Sequence, residues 1–257
     1  MPHPYVIVTS FYRALRHTPV YAACLRATVA RLPRDMRQAL RVVVVANDAS
    51  RLERRALAWA LKGLPTETLF VERETVYASW NRGVRHVPDA AACTFWNMDD
   101  LRFAAGMTEQ FSLCAQGGAE PRLVLSPHIE FWSSRWPFGF GWRRRWPSRE
   151  SLCPFFAANA AAFAKAGLFS EVFRVCGDTE WYARCLKSGV EPVFARRIAG
   201  VFTKSGRGLS AGLTPERLAE DLLVDQLHPG FRRGELDLLR ELAARHAAHP
   251  PERGTAG

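Results

Sequence analysis

Short apolar runs alternate with amphipathic stretches from the start of the chain, and the apolar spacing switches between the two-residue period of strands and the 3.6-residue period of helices. Tyr5 to Thr9 reads as a first strand, and Pro19 to Leu32 as a helix with Thr18 as N-cap and Pro19 at its first position. Arg41 to Ala46 follows as a second strand. Its four consecutive valines, Val42 to Val45, suit a strand covered on both faces, where no polar alternation is expected. A helix over Arg51 to Lys62 closes on Gly63, a strand covers Thr68 to Val71, a helix runs from about Tyr77 to Arg85, and a strand spans Ala92 to Asn97. Strands and helices in turn predict an α/β fold: one domain whose central, mostly parallel sheet is flanked by helices.

Ala105 to Gln116 reads as a helix stopped by Gly117, and Arg122 to Ser126 as a further strand. The pattern breaks over Phe131 to Ser151. There Trp132, Trp136, Phe138, Phe140, Trp142 and Trp146 are interleaved with Arg135, Arg143, Arg144, Arg145 and Arg149, and the stretch reads as an irregular loop. Order resumes with a small-residue helix near Ala158 to Ala166, a helix from Thr179 to Lys187 stopped by Gly189, and strands near Val193 and Val201. Thr214-Pro215-Glu216 opens another helix, Leu236 to Ala247 forms a last one, and Pro250 to Gly257 is a tail. No repeat at solenoid spacing and no low-complexity linker demands a domain boundary.

Composition changes this picture only at its margins. With 257 residues, 48% hydrophobic and 23% charged, the chain has the balance of a folded globular protein and not of a disordered one. Its net charge of +10 implies attraction to something anionic, whether nucleotide, nucleic acid or acidic lipid. The start lacks the apolar core of an export signal, no run approaches a membrane span, and the six cysteines form no C-x-x-C pair. These features predict a cytoplasmic protein with reduced thiols. The Trp- and Arg-rich stretch would also suit the inner face of a membrane.

Ligands of open α/β sheets bind at the carboxyl ends of the strands. Polar groups collect there: Thr9-Ser10-Phe11 after the first strand, Asn47-Asp48 after the second, and Asn97-Met98-Asp99-Asp100 after the fourth. Asp48 could accept from a ring N–H of a base, with Phe11 or Tyr12 stacked on it. Asp99 and Asp100 could hold Mg²⁺ or Mn²⁺, which prefer carboxylate oxygens and complete their shells with phosphate and water. Each motif has a plain structural counterpart, since Asn-Asp and Asp-Asp also start turns and cap helices. Asp178, in Gly177-Asp178-Thr179-Glu180-Trp181, reads equally as a helix N-cap or as a general base.

In their order along the chain, five segments resemble family 2 inverting glycosyltransferases of the GT-A fold. They are Val6 to Arg13, Val43 to Ser50, Ala78-Ser79-Trp80-Asn81-Arg82-Gly83, Trp96-Asn97-Met98-Asp99-Asp100, and Gly177 to Trp181. The resemblance spans residues 5 to about 210. It implies a glycosyltransferase domain over 1–210, divided into a nucleotide-sugar-binding half (1–103) and an acceptor-binding half (104–210), then a helical extension (211–249) and the tail. It further implies that Thr9, Phe11, Asp48, Ser79, Asn81, Asn97 and Asp99 bind the donor, a nucleotide-diphosphate sugar. Asp99 and Asp100 hold the metal, Asp178 is the catalytic base, and Glu180 and Trp181 shape the pocket of a glycan or lipid-linked acceptor.

Two departures from the family pattern bear on the metal. Asn97 stands where the first acid of Asp-x-Asp is expected, and Phe202 to Arg207 lacks the late His of many relatives, offering Lys204 and Arg207 as fixed charges for a diphosphate. Two other classes fit parts of the sequence: a non-catalytic scaffold or sensor that binds a nucleotide sugar, and, from charge alone, a nucleic-acid-binding protein. The second has no recognised motif and leaves the strand-end acids unexplained.

Overall fold

The computed structural model describes residues 3–133, 140–205 and 214–231. Two sheets organise them. The larger has seven strands in the order β10-β6-β9-β4-β1-β2-β3, built from β1 (Tyr5–Phe11), β2 (Leu40–Asn47), β3 (Thr66–Val71), β4 (Ala92–Phe95), β6 (Leu123–Leu125), β9 (Phe156–Ala158) and β10 (Pro192–Phe194). β1, β2, β3 and β4 pair in parallel, as do β6 and β10, while β9 runs antiparallel between β4 and β6. The expected α/β fold, a mostly parallel sheet between helices, is what the chain adopts.

Period-two alternation divides the sheet between two cores. Val6, Val8, Val43 and Val45 face a cluster with Tyr77 and Trp80 of α4 (Val76–His86), Phe163 of α6 (Ala160–Ala166), and Trp181 and Tyr182 of α7 (Gly177–Lys187). Ile7, Val42 and Val44 face the other cluster, with Tyr21 and Leu25 of α1 (Thr18–Arg31), Met36 of α2 (Arg34–Ala39), Leu57 of α3 (Arg51–Ala60), and Met107 and Phe111 of α5 (Ala104–Ala115). The valine run is therefore buried on both sides, as its lack of alternation predicts. Val224 of α8 (Pro215–Leu227) joins the first cluster, so this late helix folds onto the same core.

The smaller sheet has the order β5-β11-β7-β8, with β5 (Leu101–Arg102), β7 (His128–Ser133), β8 (Phe140–Arg145) and β11 (Gly200–Ser205). Over 131–133 and 140–145 it corrects the expectation of an irregular loop from Phe131 to Ser151, while 146–151 stays irregular apart from one bridge. His128 pairs with Arg145, Glu130 with Arg143 and Phe131 with Trp142 in an antiparallel ladder. The alternation is present, with Phe140, Trp142 and Arg144 on one face and Arg143 and Arg145 on the other. It is hidden because large aromatics and arginines occur on both faces.

Smaller shifts have local causes. A single 3-10 turn at Leu15–His17 leads into α1, so His17 is the N-cap and Thr18 lies inside, its hydroxyl donating to Ala14 O at 3.3 Å. The Ala-rich stretch expected as one helix from Ala158 is split by Asn159: Phe156–Ala158 is a strand, and the Asn159 side chain caps α6 by accepting from Ala162 N. Helix α2 was not expected. The expected helix at Leu236 to Ala247, the tail, Arg135, Trp136, Phe138 and Arg207 lie outside the described residues.

Candidate active site

β4, β1 and β2 are neighbours, so their carboxyl ends share one edge of the large sheet. Most polar side chains there are buried and bonded to one another. Thr9 Oγ1 lies 2.7 Å from Tyr21 Oη, and Asn47 Nδ2 donates to Ser79 Oγ (3.0 Å) while its Oδ1 accepts from Glu74 N (3.0 Å). Asn81 is a bridge: Nδ2 donates to Phe169 O and Glu171 Oε1, both at 2.8 Å, and Oδ1 accepts from Phe169 N (2.9 Å). Thr9, Ser79 and Asn81 thus have protein partners behind the sheet edge, and as buried polar groups they need them.

Phe11 is fully buried in the α1 cluster, on the same face as Ile7, so its ring is core and not surface. The exposed ring at this strand end belongs to Tyr12, with the guanidinium of Arg73 over one side at 4.9 Å and that of Arg13 at 5.3 Å. Asp48 is exposed beside them. Its φ of 45° places it in the left-handed region, where Asp is among the few residues tolerated, and its Oδ1 accepts from Arg73 N at 3.0 Å.

Trp96 to Asp100 closes as a turn, with Asp100 N bonded to Asn97 O at 3.1 Å and Trp96 Nε1 to Asp100 O at 3.0 Å. The two acids part there. Asp99 is half-buried, as is Asn97, whereas Asp100 is buried and accepts from Thr203 N of β11 at 3.0 Å. Burial and the neighbouring Asp99 charge push the Asp100 carboxyl well above its ordinary range. Asp100 therefore braces the smaller sheet. Among the described residues no three His, Cys, Asp or Glu side chains gather as a metal site. A cation here would have, of this pair, only the Asp99 carboxylate and would need phosphate and water for the rest of its shell.

One residue past Thr203, Lys204 Nζ lies 2.9 Å from Glu130 Oε1. Arg143 pairs with the other oxygen of Glu130, and Arg145 Nε approaches it at 3.5 Å. Three cations around one buried carboxylate leave the cluster net positive. Burial alone would raise the Glu130 carboxyl, but its bonds from Lys204 and Arg143 hold it below the ordinary value.

Asp178 lies in the first turn of α7, and Cys176 is the N-cap. Its Oδ1 accepts from Thr179 N (2.8 Å) and lies 3.1 Å from Tyr77 Oη. Helix α4 thus ties the sites together: Tyr77 reaches Asp178, Ser79 reaches Asn47 and Asn81 reaches the Phe169 to Glu171 segment. The two residues expected to line an acceptor pocket are built into the protein. Trp181 is fully buried, stacked on Phe163 at 5.0 Å and donating from Nε1 to Gly167 O at 2.8 Å. Glu180 is buried against Arg184 (2.6 Å) and His228 (3.3 Å). Trp181 is thus part of the aromatic core cluster and Glu180 part of an ion-paired one, which leaves neither side chain at the surface.

Solved structures that share this fold include sugar-nucleotide complexes. The S. aureus TarS 1-349 fragment in complex with UDP-GlcNAc matches with a TM-score of 0.63 over 96% of this chain and 73% of its own, at 11% identity. The mannosyltransferase PcManGT of Pyrobaculum calidifontis, in complex with GDP-Man and Mn²⁺, matches with a TM-score of 0.60 over 97% of this chain and 76% of its own, at 13% identity. The chain shares their fold. No protein-family profile and no curated protein matches its sequence. Tyr12, Tyr77 and Glu130 are the residues of this region that sequence reasoning either passed over or named only in passing; Tyr77 acts through a partner 101 residues away.

Proposed function

We propose that this protein is an inverting glycosyltransferase of the GT-A type, moving a sugar from a nucleotide-diphosphate sugar to a hydroxyl of a glycan or lipid-linked acceptor. The observation that carries the reading is Asp178: a carboxylate in the first turn of α7, oriented by Tyr77, in a fold shared with sugar-nucleotide complexes. Asp178 takes the proton of the acceptor hydroxyl as that oxygen attacks the anomeric carbon in line. The new C–O bond forms as the bond to the diphosphate breaks, and its electron pair leaves on the phosphate oxygen.

The base pocket is read at Asp48 and Tyr12, with Asn97 and Asp99 toward the ribose and diphosphate, and Thr9, Phe11, Ser79 and Asn81 holding that wall from behind. Asp99 would hold the divalent cation. When bound, such an ion offsets charge developing on the leaving diphosphate. Lys204 supplies fixed positive charge on the strand that Asp100 braces. For the acceptor side, Phe140, Trp142 and Trp146 are 75%, 68% and 62% exposed, with Arg144 over Trp146 at 4.2 Å, which suits a lipid-linked acceptor at the inner face of an anionic membrane. Among the described residues no helix is long and apolar enough to cross a membrane, and contact of this kind needs none.

The test is binding and turnover of a sugar-nucleotide panel that includes UDP-GlcNAc and GDP-mannose, with and without Mn²⁺. Binding and release of a nucleoside diphosphate support transfer; no binding of any donor in either condition sinks it. A non-catalytic donor-binding scaffold is a second reading, favoured by Asn97 and by the buried position of Asp100. It predicts donor binding without turnover.

A further inference from the structure

The segment Arg174 to Cys176, immediately before Asp178, is gripped from two sides. From α8, Glu220 accepts three successive backbone N–H bonds: Oε1 from Arg174 N (2.7 Å), and Oε2 from Val175 N and Cys176 N, both at 2.8 Å. From α4, the Tyr77 hydroxyl lies 2.7 Å from Val175 O and 3.1 Å from Asp178 Oδ1. The ring of Tyr77 is equally committed. A Cβ on Gly177 would come within 2.6 Å of it, so the glycine is what lets the loop close onto the phenol. Neighbouring contacts reinforce the grip, with Arg174 3.4 Å from Glu216 and Cys176 Sγ 3.4 Å from Asp221.

We propose that Tyr77 and Glu220 are positioning residues for Asp178, so that the late helix α8 completes the catalytic centre and is not an appendage to it. A carboxylate accepting three adjacent N–H groups fixes the backbone path into α7, and charge-assisted bonds of this kind are stronger than neutral ones. From the other side the one phenolic proton is shared between Val175 O, the nearer acceptor, and Asp178 Oδ1, which ties backbone and carboxyl to the same group. Burial, followed by the charge of Asp178, holds the Tyr77 phenol protonated far above its ordinary range, so it remains a donor wherever the enzyme would work. A base whose backbone and carboxyl are fixed before the acceptor arrives needs no reorganisation at the moment of proton transfer.

The inference rests on Asp178 being the base, and the experiment separates the two claims. The ¹³C carboxyl resonance of Asp178, assigned by its loss in Asp178→Asn, is titrated in the full-length wild type, Tyr77→Phe and Glu220→Gln, alongside amide exchange at 174–176. Loss of the shared phenol proton moves the Asp178 midpoint upward in Tyr77→Phe, by up to about one unit. Glu220→Gln, which sets an amide N–H₂ against backbone donors, speeds exchange at 174–176 by tenfold or more. With UDP-GlcNAc or GDP-mannose as donor, both variants lower kcat at least tenfold and leave donor KM within twofold; the acidic limb of the Tyr77→Phe profile follows the NMR midpoint. An unmoved midpoint in Tyr77→Phe and unchanged exchange in Glu220→Gln overturn the positioning proposal and leave the base assignment standing. Full turnover in Asp178→Asn removes both. Because titration and exchange need no substrate, the result does not depend on having the right donor.

Discussion

The two sheets are opposite solutions to the same task of presenting side chains at an edge. In the seven-stranded sheet both faces are apolar and covered by helices, and the polar residues at its strand ends bond to the helices behind them: Thr9 to Tyr21 of α1, Asn47 to Ser79 of α4. In the four-stranded sheet charge is concentrated and apolar groups face water, with Glu130 ringed by Arg143, Arg145 and Lys204, and Phe140 and Trp142 exposed on edge strand β8. The first is a preset frame suited to an invariant ligand such as a nucleotide. The second has little of its own to hold it, which suits a surface that meets a variable partner. Edge arginines also discourage pairing of β8 with a second chain.

If the large sheet is the rigid member, its heaviest effect comes from truncating the aromatic stack behind α7. Trp181→Ala removes a fully buried ring packed on Phe156, Phe163 and Phe169 and leaves Gly167 O without its donor. We expect a loss of about 3–5 kcal/mol, read from the midpoint of urea unfolding, with little change in its slope. A loss below about 1 kcal/mol would mean that the frame is looser than its burial implies.

What could be read from the sequence follows the same division. The frame was legible because its strands are short apolar runs bounded by turn residues, and Val42 to Val45 announced a doubly covered strand. Strand β9 was not, since Phe156-Ala157-Ala158 runs into an alanine-rich helix and only Asn159 marks the join. The β7–β8 ladder was hidden by aromatics on both faces. At the candidate site, the residues alone left Asp178 as either an N-cap or a base and the resemblance favoured the base; the N-cap reading gives way to a first-turn position. Tyr77 lies 101 residues from Asp178, and no local pattern reports a contact at that separation. The burial of Phe11 and Trp181 could have been suspected from periodicity, since Phe11 falls in phase with Ile7.

Acid should separate the sheets. Burial first, only partly opposed by Glu130, lowers His128 from 6.5 to about 4, so the native imidazole stays neutral where an unfolded one gains a proton. The unfolded state then binds more protons between those values, and stability falls as pH drops through that window. Glu130 acts lower: its native carboxyl is held below 4.5, so its contribution is complete above that value and is lost only as pH falls through the native one. Amides of β7, β8 and β11 should exchange severalfold faster at pH 5 than expected from the pH 7 rates corrected for intrinsic exchange, while those of β1, β2 and β4 keep their protection. His128→Gln should flatten the difference. Equal acid response in both sheets would break the comparison.

The smallest stability effect belongs to the exposed aromatics, and there the comparison is sharpest. Phe140→Ser with Trp142→Ser removes two side chains that bury little, so unfolding should move by no more than about 0.5 kcal/mol. The same pair should matter where the surface meets its partner. An apolar ring placed in the headgroup region draws on the same transfer energy as core burial, and Arg144 on the same face adds about 1 kcal/mol on an anionic bilayer. Wild-type protein should therefore co-sediment with vesicles containing phosphatidylglycerol and not with phosphatidylcholine alone, and the double variant should bind the former at least tenfold more weakly. Binding carried by charge alone would survive both substitutions and fall with salt. That outcome would make β8 an electrostatic strip and leave its aromatics for a soluble glycan, on which exposed rings can stack.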